Sequence, residues 1–125
     1  MKIKKNIQQI LTAYNSIDEL ASIKIPIKSA FELFKLKHSL EPYCLAEIES
    51  EKKLATDHGG VIENDGTVKF NDLDSKNSFQ NGLIELYKNE IEIEYEPIVI
   101  KLTGLNASIT MRAIESLDGF ISFEA

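Results

Sequence analysis

Apolar residues recur at steps of three and four along the first part of the chain, which is the period of an amphipathic helix. A first such stretch predicts a helix over residues 6–21 and carries Ile7, Ile10, Leu11, Tyr14, Ile17, Leu20 and Ala21. A second stretch starts at Pro26, whose missing amide suits a first helical turn, and ends near Asp57, before the His58-Gly59-Gly60 segment. Because only residues 22–25 join the two stretches, we expect an antiparallel helical hairpin.

Pro42 interrupts the second helical stretch. A proline inside a helix removes one backbone hydrogen bond and crowds the carbonyl four residues earlier, so the sequence predicts a kink or a break near residues 38–41. The apolar positions of this stretch are Ala30, Phe31, Phe34, Leu40, Leu45, Ile48 and Leu54. Because aromatic residues at helical spacing are usually buried, Tyr14, Tyr43, Phe31 and Phe34 are expected in the core and not on a ligand platform.

From residue 61 onward the pattern changes to short extended segments. Residues 61–62 and 67–70 flank the sequence Glu63-Asn64-Asp65-Gly66, whose residue types tolerate positive φ, so they predict a β-hairpin. A third helix follows, capped by Asp72 or Asp74 and ending near residue 89.

The C-terminal quarter is predicted to combine one strand with one short helix. Residues 98–100 continue as a strand, which Gly104 ends. Ser108 is a plausible cap for the last helix, which residues 118–119 stop before the apolar residues 120–123.

Between the third helix and Pro97, glutamate alternates strictly with apolar residues. Successive side chains of a strand point to opposite faces, so Glu90, Glu92, Glu94 and Glu96 are predicted to form an exposed row. The opposite face carries Ile91, Ile93 and Tyr95, which we expect to be buried. Such a row is either a solvated or edge-protecting sheet face or a docking surface for a basic partner. Neutralisation by lysines of the chain's own helices, such as Lys52 and Lys53, is the further alternative.

Charge is distributed unevenly along the chain of 125 residues, whose net charge is −6. Residues 1–58 hold nine lysines against eight acids, whereas residues 59–125 hold four lysines and Arg112 against twelve acids. Phosphate backbones are bound by lysine and arginine, so we expect no direct binding of nucleic acid. A basic protein partner, or mimicry of a nucleic acid, is favoured. There is no apolar run long enough to span a membrane and no signal-peptide core, so no membrane association is expected.

The sequence contains no residue combination typical of a catalytic or metal-binding site. Cys44 is the single cysteine, which excludes an internal disulfide and fits a reducing compartment. His38 lies six positions before it, on a different helical face, so a nucleophilic pair is not expected. The His58-Gly59-Gly60 segment lacks a serine elbow and predicts a helix stop. The aspartates at 65, 72 and 74 fail calcium-loop spacing and suit turns and caps. We therefore predict no catalytic residue, no metal site and no cofactor.

The chain also carries, in a fixed order across nearly its whole length, a set of packing and turn elements. They are an N-terminal helix, Ile25-Pro26-Ile27-Lys28, Leu40-Glu41-Pro42-Tyr43, Glu63-Asn64-Asp65-Gly66, the glutamate segment before Pro97-Ile98, and a closing helix over residues 108–120. In this order of elements the chain resembles a family of small phage and prophage proteins of unknown function from Gram-positive bacteria. The resemblance implies a phage origin and supplies no catalytic residue.

These observations predict a single α+β domain over residues 1–125. An N-terminal helical hairpin, kinked at Pro42, packs on a small antiparallel sheet, and a short helix closes the C-terminus. The predicted function is that of a non-enzymatic phage protein that binds another protein in the cytoplasm of the infected bacterium, as an accessory factor such as an inhibitor of a host antiviral defence enzyme. Its binding residues are Glu90, Glu92, Glu94 and Glu96. A head or tail assembly protein and a sponge for a small nucleotide signal are the alternatives, and homo-oligomerisation is left open.

Overall fold

The two predicted N-terminal helices form a hairpin, and short strands surround it. A computed structural model describes residues 1–101 and 109–124 of the chain. In chain order its elements are β1 (Lys2–Asn6), α1 (Ile7–Ala21), α2 (Ile27–Asp57), β2 (Val61–Ile62), β3 (Val68–Lys69), α3 (Leu73–Lys88), β4 (Glu90–Glu94), β5 (Ile98–Lys101), α4 (Met111–Ser116) and β6 (Ile121–Glu124). The predicted α+β class is confirmed.

Helix α1 begins where the sequence predicts it, because Asn6 and Gln9 form a reciprocal cap. The Gln9 amide donates to Asn6 Oδ1 at 2.8 Å, and the Asn6 amide donates to Gln9 Oε1 at 2.9 Å. Two otherwise unpaired backbone donors are thereby satisfied. The apolar stripe of α1 includes the fully buried Ile10, Ile17 and Leu20.

Helix α2 is continuous across Pro42, so the predicted break near residues 38–41 does not occur. Pro42 lies on the exposed side of the helix, where water can reach the carbonyl that the proline leaves unpaired, while Leu40 and Cys44 on either side anchor the helix in the core. A bend at Pro42 stays a prediction.

Helix α2 ends at the predicted glycine segment. The Gly60 amide donates to the Ala55 carbonyl at 2.8 Å, and Gly59 has a φ of 75°, a conformation that favours glycine.

In residues 1–101 and 109–124 the strands form three two-stranded ladders, in place of the single small antiparallel sheet of the prediction. β1 pairs antiparallel with β4, β2 pairs antiparallel with β3 as the predicted hairpin, and β5 pairs parallel with β6. β1 and the parallel pairing were not predicted from the sequence.

The helices of the second half begin at side-chain caps. Asp72 accepts a hydrogen bond from the Ser75 amide at 2.7 Å and begins α3, as one of the two predicted caps. Thr110 caps α4 by accepting from the Ala113 amide at 3.2 Å. The predicted cap Ser108 and the predicted strand end at Gly104 lie outside the described residues.

One cluster of buried apolar residues joins α1 and α2 to the strands β4, β5 and β6 and to the turn that follows α4. Its members are Ile7, Ile10, Ala13, Ile17, Leu20, Leu33, Leu36, Leu40, Cys44, Ile93, Ile98, Ile100, Leu117, Phe120 and Ile121. Each buried isoleucine or leucine contributes about 1.5–3 kcal/mol relative to an exposed one. β4 is therefore held against the core by one of its two faces.

Candidate interaction surface

Three of the four glutamates of the predicted row, Glu90, Glu92 and Glu94, lie on a ribbon formed by β4 and the N-terminal strand β1, and Glu96 follows the end of β4. The register places Asn6 opposite Glu90, Lys4 opposite Glu92 and Lys2 opposite Glu94. Residues directly opposite each other in an antiparallel pair share one face, so lysines and glutamates are neighbours on the outer face of this ribbon.

The inner face of β4 is apolar, as the alternation predicts, and the residues of β1 opposite it are Ile3 and Lys5. Ile93 is only 2% exposed, and Ile91 and Tyr95 are half-buried against the core. Tyr95 also meets Phe120 edge to face, with 5.4 Å between ring centroids. The predicted strand is confirmed over residues 90–94, with Glu90, Glu92 and Glu94 exposed. Of the three residues expected to be buried, Ile93 is buried, whereas Ile91 and Tyr95 are only partly buried.

Two of the four carboxylates form ion pairs. Lys2 Nζ lies 3.4 Å from Glu92 Oε1, and Lys35 Nζ of α2 lies 2.9 Å from Glu96 Oε2. Within residues 1–101 and 109–124, Glu90 and Glu94 make no such pair. Because all of these groups are exposed, each pair contributes about 0–1 kcal/mol and can be exchanged for another cation.

The lysines suggested by the sequence do not neutralise the row. Lys52 Nζ lies 4.0 Å from Glu49 Oε1, and Lys53 Nζ lies 2.7 Å from Asp57 Oδ2, both within α2. The lysines that pair with the row are instead Lys2 of β1 and Lys35 in the first third of α2. Both pairs join segments that are far apart in the sequence, so neither could be assigned from local patterns.

A groove of about 470 Å³ lies where the ribbon meets α2. Its charged lining residues are Glu32, Glu94, Glu96 and Lys35, and Lys35 is already paired with Glu96. Met1 also lines the groove, and its terminal ammonium donates to the Tyr95 carbonyl at 3.1 Å, so both cations have partners within the chain. A phosphate-bearing ligand needs an excess of cationic or amide donors, so this lining does not favour a nucleotide.

The buried ionisable residues lie between α2 and α3. Glu47 is 6% exposed, and the Tyr87 hydroxyl donates a hydrogen bond to its Oε1 at 3.3 Å. Burial, together with the neighbouring Glu51 carboxylate, raises the pKa of Glu47 to about 7. The burial of Glu47 was not predicted from the sequence, because one glutamate among several in a helix gives no signal of burial.

The thiol of Cys44 is buried next to this group. Burial raises the pKa of Cys44, with a smaller contribution from Glu47, so the thiol is kept in its unreactive protonated form. His38 is exposed on another face of α2, where its Nδ1 lies 3.5 Å from Glu41 Oε2.

The aspartates of the second half have turn and cap roles. Asp65 accepts from the Thr67 amide at 3.0 Å and from the Thr67 hydroxyl, and Asp72 caps α3. These hydrogen bonds lower the pKa of both aspartates, first through the Thr67 hydroxyl for Asp65 and the Ser75 amide for Asp72. In the part of the chain that the structure describes, no group of His, Cys, Asp and Glu residues could hold a metal ion.

A second exposed feature is a row of apolar side chains along α2. Phe31 and Phe34, expected in the core, are 65% and 48% exposed, and Leu45 and Ile48 are also exposed on the same side. The core side of α2 is formed by other residues, namely Leu33, Leu36, Leu40, Cys44, Glu47 and Ala55. Two separate apolar stripes in the helical pattern were the signal for this surface.

The chain matches no protein-family model, and comparison with curated proteins and with solved structures finds no match either. The phage setting therefore stays a prediction from the resemblance. Among the residues described, none of the helices combines the length and the apolar character needed to cross a membrane.

Proposed function

We propose that this protein acts without catalysis, by binding another protein through the outer face of the β1–β4 ribbon. The contact residues are Glu90, Glu92, Glu94 and Glu96, and the partner surface is basic. The observation that supports the proposal most directly is the arrangement of β4, in which Glu90, Glu92 and Glu94 are exposed on one face while Ile93 is buried on the other.

The intrachain lysines do not remove this surface. The pairs of Lys2 with Glu92 and of Lys35 with Glu96 are exposed and weak, so the cations of a partner can replace them at small cost. Glu90 and Glu94 have no ion pair among the described residues and are available directly. Complementary charge mainly raises the association rate and selects the partner.

The setting proposed for this binding is infection of a bacterium by a phage, with the protein in the host cytoplasm. An accessory factor that inhibits a host defence enzyme fits the charge, because enzymes that bind nucleic acid present the basic surfaces that a carboxylate row complements.

A role in head or tail assembly is the second candidate. It is favoured by the exposed apolar stripe of α2, because proteins that assemble bury apolar surface against copies of themselves or against other components.

A charge-reversal experiment tests the proposed contact. The tagged chain is used to capture proteins from a bacterial lysate, in parallel with a variant carrying Glu92→Lys, Glu94→Lys and Glu96→Lys. We expect a protein retained by the wild type to be lost from the variant, while circular dichroism shows the same fold, because exposed charges contribute little to stability.

A matched control distinguishes the effect of changing the ribbon face from the effect of changing the net charge. Glu85→Lys, Glu115→Lys and Glu124→Lys reverse three exposed carboxylates elsewhere and change the net charge by the same amount. This control should retain the captured protein. Equal loss in both variants, or no loss in either, would exclude the ribbon as the binding face.

A further inference from the structure

The exposed stripe of α2 follows the spacing of a coiled-coil seam. Ile27, Phe31, Phe34, His38, Glu41, Leu45 and Ile48 succeed one another at alternating steps of four and three. All of these residues are exposed except Glu41, which is partly exposed. The stripe extends over about 31 Å of helix at about 1.5 Å per residue. Alternating steps of four and three place side chains on one side of a helix, as the contact positions of paired helices require.

The middle of the stripe is polar and its two ends are apolar. His38 Nδ1 lies 3.5 Å from Glu41 Oε2 at the centre, with Phe31 and Phe34 on one side. Leu45 and Ile48 lie on the other side. From Phe31 to Ile48 this arrangement is nearly symmetric about the centre, so a second helix of the same sequence running in the opposite direction matches these six positions layer by layer. Ile27 lies beyond the matched layers, opposite the position of Lys52.

We propose that the protein forms a homodimer in which α2 packs antiparallel against α2 of a second copy. In the register that matches the layers, Phe31 faces Ile48 of the second copy, and Phe34 faces its Leu45. His38 faces Glu41 of the second copy at the centre, twice by symmetry. A self-complementary patch of this kind is what a two-fold interface requires.

Charge selects the antiparallel direction. A parallel pairing would place Glu41 against Glu41 within the seam, where like charges repel. Next to the seam, Lys28 and Lys35 lie beside its N-terminal half and Glu49 beside its C-terminal half. The antiparallel pairing brings Lys28 of one copy alongside Glu49 of the other, and such flanking pairs specify orientation in coiled coils.

The interface uses α2 and neither strand of the ribbon. Lys35, beside the seam, is the ion-pair partner of Glu96, so the two proposed surfaces adjoin at that pair. The homodimer does not require the proposed partner, and it is tested on the purified chain alone.

Sedimentation equilibrium of the purified chain tests the dimer. In a concentration series that reaches about 1 mM, the measured mass of the wild type should rise to twice the mass of the chain. The variant Phe31→Glu, Phe34→Glu should dimerise at least about 100-fold more weakly, because it places four carboxylates in the seam. Met111→Glu, an equally drastic change at an exposed position of α4, should leave the dimer intact. A monomeric wild type, or a dimer unaffected by the Phe31 and Phe34 changes, would overturn the proposal.

Disulfide cross-linking tests the direction of the pairing. In a Cys44→Ala background, Phe31→Cys and Ile48→Cys are prepared as two separate proteins. In the antiparallel register, residue 31 lies beside residue 48 of the second copy, whereas two copies of residue 31 are about 25 Å apart along the axis. Only the mixture of the two proteins should therefore give a cross-linked dimer. Cross-linking of each protein alone would indicate parallel helices and contradict the proposal.

Discussion

Glu47 is a carboxylic acid in a buried position, where a charged side chain is unfavourable. It lies on the core side of α2 at 6% exposure, and the Tyr87 hydroxyl is its hydrogen-bond donor. Burial and the nearby Glu51 raise its pKa from an ordinary 4.5 to about 7. The folded protein therefore binds one more proton than the unfolded chain between these two values. The stabilisation from that proton is complete below about pH 4.5 and is lost as the pH rises through 7.

A glutamine at position 47 tests this linkage. Glu47→Gln keeps a neutral hydrogen-bonding group beside Tyr87, so we expect a variant whose stability depends less on pH. At about pH 8 it should exceed the wild type by about 1–3 kcal/mol. Urea unfolding at about pH 5 and about pH 8 measures the difference. Glu49→Gln, at an exposed position of the same helix, is the control and should change little. A wild type whose stability rises with pH over this range would contradict the assignment.

At the scale of elements, local sequence patterns correctly predicted some helices and strands and failed to predict others. Periodicity predicted the helical hairpin, and strict alternation predicted β4. β1 could not be predicted, because residues 2–5 contain only Ile3 as an apolar residue and the strand exists through pairing with residues 90–94, far along the chain. In α2, two stripes each had helical spacing. Only the packing of α1 decides that Leu33 and Leu36 are buried and that Phe31 and Phe34 are exposed.

Truncation of Ile93 tests how firmly β4 is held. The side chain is 2% exposed, so Ile93→Ala removes buried methyl groups and leaves a cavity. We expect a loss of about 2–5 kcal/mol in the free energy of unfolding. Val99→Ala in β5, where the side chain is 47% exposed, should cost clearly less. Equal costs for the two variants would indicate that β4 is a loosely attached edge and not an anchored ribbon.

At the scale of the whole molecule, the fold places segments from the two halves of the chain side by side, and these halves differ in net charge. The acidic excess lies entirely in residues 59–125, yet the ribbon places Lys2 and Lys4 of the N-terminal half beside its glutamates. The row itself was correctly predicted, but its compensation was not, because the pairing that creates it joins distant segments. The surface is consequently a pattern of alternating charge in which two carboxylates, Glu90 and Glu94, have no ion pair with any residue of 1–101 or 109–124. Such a pattern suits selection of a partner better than strong attraction.

Ionic strength distinguishes the two proposed contacts. Binding of a basic partner to the glutamate row should weaken steadily as salt rises, because exposed charges are screened over about 8 Å at physiological ionic strength and over about 3 Å at 1 M. The α2 homodimer is held mainly by apolar side chains such as Phe31, Phe34 and Leu45 and should lose little over the same range, since salts do not weaken apolar contacts in this way. Surface plasmon resonance with the captured partner, and sedimentation of the chain alone, give the two salt series on one protein. Two results together would contradict the ribbon as the binding face: partner affinity that persists at 1 M salt, and loss of partner binding in the Phe31→Glu, Phe34→Glu variant. The partner would then bind the α2 stripe, and the glutamate row would be a solvated face.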